Sequence, residues 1–172
     1  MRLADYNQRE GKKVWLEQDE LEALIDEAQK PTEEVSLLLG GKCGLRRKEI
    51  AAVTPADLVE THGHWRIRVW EGKGSKYREV PAPERLANTI NTLSYQLEAD
   101  DPVIQAHETT IYDWVRRAAE RRQAATNEVG WQFLDVHDLR RTWGTYLVGQ
   151  GVIPGLIMQW GGWEDWETFK KN

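Results

Sequence analysis

The stretch HWRIRVWEGKGSKYREVP, residues 64–81, decides how the chain is read. Residues 65–70 and 77–80 alternate in the manner of strands, and Gly72-Lys73-Gly74-Ser75 between them has the composition of a tight turn. Upstream, Leu58-Val59 reads as another strand, and His62-Gly63-His64 as the turn that returns it. A small antiparallel sheet of three strands is predicted here, inside a chain whose remaining patterns are helical.

Outward from the sheet the apolar spacing is that of helices. Leu21, Leu24, Ile25 and Ala28 form one stripe, with Asp19 placed to cap it. Pro31 restarts a helix that runs through Val35 to about Leu39, and Gly40-Gly41 is expected to end it. A short helix follows over residues 46–53, and Thr54-Pro55 reads as a cap or turn. Beyond Pro83, helices are expected over residues 84 to about 97, 110 to about 125, 137–150 and 154 to about 160. Leu139, Trp143, Tyr146 and Leu147 are read as the inward face of the third. The fold class is therefore α+β: mostly helical, with the sheet inserted after the third helix.

Composition bounds the function. At 172 residues the chain suits one domain with a real core. Its apolar runs are too short to span a membrane, and MRLADYNQRE lacks an apolar signal core. The single cysteine, Cys43, excludes an internal disulfide framework and fits a reducing cytoplasm. The net charge of −5 argues at first against nucleic acid. Residues 1–34 alone carry 5 Lys/Arg against 10 Asp/Glu, whereas residues 35–172 balance at 18 of each. Basic residues in that neutral part cluster at 42–48, 66–78, 116–122 and 140–141, four groups that could share a surface.

Several motifs carry chemistry. GGKCGLRRKE fails as a phosphate loop, because Ser36 stands where the first glycine belongs and Cys43 follows the lysine. His62 and His64 have no partners at metal-site spacing and read as turn residues. Arg46 lies at a helix start with Glu49 on the same face. Lys73 sits between glycines at a hairpin tip. His137 and Arg140 are one turn apart near a helix start, where backbone amides and the dipole favour an anion. Trp163, after Gly161-Gly162, would pack as core or offer its indole N–H as a directional donor. Two arginines, a lysine, a histidine and an indole donor in this order would surround one phosphodiester and stabilise a pentavalent phosphorane.

At this point the sequence resembles the catalytic domain of tyrosine recombinases, the phage-integrase family. GLRRKEI resembles the first arginine box, giving Arg46 and the accessory acid Glu49. EGKGSKYREVP resembles the lysine hairpin, giving Lys73, with Arg78 and Pro81 also fitting. HDLRRT resembles the second box, giving His137 and Arg140, and GGW places Trp163 in the His/Trp slot. The resemblance runs from about Leu16 to the end, so residues 1–15 are expected as a lead-in or linker and 16–172 as the catalytic domain, without the helical core-binding domain.

The resemblance implies attack by a tyrosine on the scissile phosphate of duplex DNA, forming a 3′-phosphotyrosine. Arg46 and Arg140 would clamp the non-bridging oxygens, Lys73 would act as general acid, and His137 would serve as base and ligand. Trp163 would donate to a phosphate oxygen, and Arg47, Lys48, Lys76, Arg78 and Arg141 would contact the DNA. No metal or other cofactor is expected. Partners would be double-stranded DNA with a specific site and further copies in a tetramer, in the cytoplasm and on the nucleoid. The acidic profile suits a halophilic archaeon or its virus. In the family the tyrosine follows the Trp163 slot by about nine residues, where this sequence has Asn172. Either Asn172 replaces it, or the loop is one residue longer and the tyrosine would be position 173; we expect a chain cut before its nucleophile, inactive in cleavage. The rivals are a recombinase-like DNA binder that does not cut, and a type IB topoisomerase relative.

Overall fold

The computed structural model describes residues 1–6, 10–71 and 76–170. Two strands, β1 (Arg2–Asp5) and β2 (Lys12–Trp15), precede the helices α1 (Gln18–Ile25), α2 (Pro31–Gly41) and α3 (Arg47–Ala52). The strands β3 (Leu58–Thr61), β4 (His64–Glu71) and β5 (Lys76–Pro81) follow, then α4 (Glu84–Ser94), α5 (Glu108–Thr126), α6 (Val136–Gly149), α7 (Pro154–Gly161) and α8 (Trp166–Lys170).

The sheet has the order β3-β4-β5 and is antiparallel throughout. Thr61 pairs with His64 across a two-residue turn in which His62 (φ 52°) and Gly63 (φ 76°) are both left-handed. That is the primed turn whose twist matches a hairpin, so His62 serves the turn as expected, while His64 opens β4 opposite Thr61. Alternation is real on one face: Ile67, Val69 and Val80 are buried.

The core forms around α2, where every residue from Val35 to Gly41 is buried. The helices α1, α3, α4, α5 and α6 all pack on it. Gly40 and Gly41 end this helix as expected, as its last two residues. Leu139 of α6 and Leu21 of α1 lie where their Cβ atoms would be, so the glycines permit close helix approach.

Three expectations change. Residues 1–15 are not bare lead-in: they hold the β1–β2 hairpin, with Val14 fully buried against α6 and the rest of the core. The hairpin escaped notice because its strands are four residues long and β1 is exposed throughout. Tyr146 is 40 % exposed and is not core. The basic clusters, read as groups that could share a surface, are in good part engaged by neighbouring protein groups. Arg116 donates to the carbonyls of Trp131, Gln132 and Leu134, and Arg66 and Arg68 face Glu79. Among the described residues no helix is long and apolar enough to cross a membrane.

Candidate functional site

Helix α3 begins at Arg46, whose extended backbone caps it. The Arg46 amide donates to Glu49 Oε2 at 2.7 Å, so the N3 acid reaches back to the N-cap donor. The same carboxylate then gathers two guanidiniums: Arg46 Nη1 on Oε1 and Arg78 Nη2 on Oε2, each at 2.8 Å. Burial opposes ionisation of Glu49. The hydrogen bond and charge of Arg78, with the amide and charge of Arg46, outweigh it and hold the carboxyl below its ordinary range.

The end of α7 organises the arginines. Gly162 is left-handed (φ 66°) and terminates the helix, with Trp163 N–H returning to Met158 O at 3.0 Å. The terminal carbonyls have no partner within the helix and carry the negative end of its dipole. Three consecutive ones receive three guanidiniums from three distant elements. Arg78 Nε of β5 donates to Trp160 O at 2.8 Å, Arg140 Nη2 of α6 to Gly161 O at 2.5 Å, and Arg46 Nη2 to Gly162 O at 2.8 Å. Arg140 Nη1 also donates to Gly44 O at 2.6 Å. Its guanidinium lies 3.8 Å from the Trp163 ring centroid, and Trp163 in turn stacks on Trp143 at 6.0 Å and meets Phe169 of α8 edge-on.

Beside this junction opens a cleft of about 900 Å³. Arg46, Arg47, Lys48, Glu49, His137, Trp70, Gly162 and Trp163 line it, together with the acids Glu108, Glu164 and Asp165. His137 is exposed on the first turn of α6, and Asp135 caps that helix from before it. Arg47 Nε reaches Glu108 at 3.3 Å.

The structure therefore brings Arg46, Glu49, His137, Arg140 and Trp163 together, with Arg47 and Lys48 alongside. Arg140 sits deeper than expected: it is 1 % exposed and lies behind the Trp163 ring. Arg78 and Arg141 do not suit the surface role expected of them. They are 7 % and 6 % exposed, Arg78 bound to Glu49 and Arg141 to the buried Asp138. Lys73 lies outside the described residues, as does Asn172; Lys76 opens β5, and its side chain is likewise outside the description. The carbonyls of Gly44, Trp160, Gly161 and Gly162 and the carboxylate of Asp138 were missed. Backbone acceptors leave no trace in side-chain chemistry; Asp138 stands in HDLR between His137 and Arg140, where only those two drew a role.

The chain belongs to the phage integrase family, whose model matches residues 14–171. Its fold is that of the tyrosine-recombinase catalytic domain. It is similar to XerA recombinase (TM-score 0.75, 22 % identity, covering 91 % of this chain and 57 % of that one). It also resembles XerH site-specific recombinase bound to difH substrate in a pre-cleavage complex (0.69, 18 %, 96 % and 52 %). A third similar structure is Tn1549 transposon integrase, residues 82–397, in complex with circular intermediate DNA (0.68, 16 %, 98 % and 62 %). The chain thus spans between half and two-thirds of the length of these structures. No curated protein sequence matches it.

Proposed function

We propose that this chain is the DNA-handling catalytic domain of a site-specific recombinase, and that it grips a backbone phosphate of duplex DNA in the cleft beside α7. The observation that carries this reading is the seating of Arg46, Arg78 and Arg140 on the consecutive carbonyls of residues 160–162. Nothing in folding alone requires three guanidiniums from positions so far apart to gather at one helix end, next to an open cleft holding His137. The similar structures of XerH bound to difH substrate and of Tn1549 integrase in complex with circular intermediate DNA support the same reading.

In this reading Arg46 and Arg140 bind the non-bridging oxygens, and His137 serves as ligand and proton acceptor. Lys73, from the hairpin, is the general acid for the 5′ oxygen that departs when a tyrosine hydroxyl bonds to the phosphorus. Arg78 and Glu49 hold Arg46 in place, while Arg47, Lys48 and Lys76 follow the flanking backbone. Trp163 first covers Arg140 and must turn aside for that guanidinium to reach the phosphate; its indole N–H is then the donor. Assembly of four copies on paired sites would follow from the family. The 172 residues hold no tyrosine beyond Tyr146. We therefore infer that these residues by themselves bind DNA without forming a phosphotyrosine.

The test is anisotropy of a labelled duplex across a salt series, with a nicked suicide duplex run in parallel. Phosphate contacts release counterions, so affinity should fall steeply with salt. Affinity indifferent to salt would count against the phosphate grip, and a covalent adduct against the non-cleaving reading.

A further inference from the structure

We propose that Asp138 is a positioning residue for the phosphate site, latching α6, and with it His137 and Arg140, to the N-terminal hairpin. The proposal deepens the function above and rests on its assignment of His137 and Arg140. Asp138 lies between them and is fully buried. Its Oδ1 accepts the Val14 amide of β2 at 3.1 Å and the Arg141 guanidinium, and its Oδ2 accepts the Asp135 amide at 2.9 Å. One turn later Thr142 Oγ1, 1 % exposed, accepts the Leu16 amide at 3.0 Å.

The spacing explains the pairing. Residues 14 and 16 present amides on one edge of an extended chain, and residues 138 and 142 lie on one ridge of the helix. That edge of β2 is turned away from β1, so its amides would be unpaired without α6. The helix is thereby fixed in rotation by side chains four residues apart. The adjoining ridge, with His137 and Arg140, is the one that faces the cleft and the end of α7. A helix turns about 100° per residue, so small slippage at Asp138 displaces both groups. Buried charged networks of this kind cost desolvation, and setting register is the role assigned to this one. The hairpin therefore belongs to the working site, and its second strand reaches into the stretch that the family model matches.

The latch is tested by NMR of the whole chain, following the His137 imidazole and the Arg140 guanidinium signals, together with duplex affinity. Asp138→Ala should move both sets of signals and weaken binding about tenfold. Asp138→Asn, which keeps one acceptor oxygen for the Val14 amide but turns an NH2 donor toward the Asp135 amide, should restore part of each. Ile90→Ala, a core substitution in α4, should lower the melting temperature without moving those signals. If Asp138→Ala does not fold, Thr142→Val decides on the same signals. A folded latch variant whose signals and affinity match the wild type overturns the proposal. Absence of duplex binding by the wild-type chain would instead sink the proposed function, leaving the NMR comparison to judge the latch.

Discussion

Glu49 is the residue on which the arginine site turns. It holds Arg46 at the cleft and Arg78 in the interior with one carboxylate. Glu49→Ala leaves the Arg78 charge buried beside an empty place, and removal of one partner from a buried pair costs about 3 kcal/mol. Chemical denaturation should show that loss at neutral pH. The pH dependence follows from the sign of the shift. Glu49 titrates lower in the folded chain than in the unfolded one, so its contribution is complete above its unfolded value, about 4.3. It is lost as pH falls through the lower folded value. The stability gap between wild type and Glu49→Gln should therefore narrow in acid; a gap independent of pH would show that the carboxylate's charge is not what matters. In the sequence, Arg46 and Glu49 were legible as a pair because they are three apart. Arg78 was misread as a surface contact because its partners, Glu49 and Trp160, lie 29 and 82 positions away.

At the scale of elements, the junction of α2, α3 and α6 depends on Gly44. Its φ of 66° is left-handed, and the indole of Trp143 occupies the space a Cβ would enter. Its carbonyl also receives Arg140. Gly44→Ala should cost at least ~2 kcal/mol, from the backbone strain and the displaced indole. At this chain length that lowers the melting temperature by roughly 6 °C, and an unchanged melting temperature would contradict the packing described. Elements were legible where a period repeated. The hairpin of residues 64–81 and the α6 helix announced themselves through strong alternation and spacing. The β1–β2 hairpin and α8 did not: each strand offers four residues, α8 offers five, and what holds β2 is a pair of side chains on α6 more than 120 positions away. The carbonyls at the end of α7 were invisible for a related reason, since any helix has them and only the tertiary fold brings arginines to them.

The charge balance makes sense only over the whole molecule. The acid excess of the N-terminal segment is met by basic residues from later elements. Glu27 faces Arg121 and Arg122, and Asp26 and Glu34 hold Arg85. What remains at the cleft is the run Arg46, Arg47, Lys48, partly screened by Glu108. Arg47 is 40 % exposed, so its ion pair with Glu108 contributes under about 1 kcal/mol and should yield to a phosphate. Glu108→Gln is expected to leave stability nearly unchanged and to tighten duplex binding several-fold at low salt, with the advantage fading as salt rises. Weaker binding by this variant would mean that Glu108 orients Arg47 toward DNA instead of competing for it.

The central claim is that Arg46 and Arg140, 94 positions apart in sequence, act on one phosphate from neighbouring carbonyls of α7. A double-mutant cycle on duplex affinity, built from Arg46→Lys and Arg140→Lys, tests it most directly. Lysine keeps the charge and removes the planar fork with its paired hydrogen bonds, a loss that each single variant measures and the cycle subtracts. Two groups on one phosphate should couple by more than about 1 kcal/mol. Effects that add within about 0.5 kcal/mol would place the two arginines on separate contacts and contradict the account.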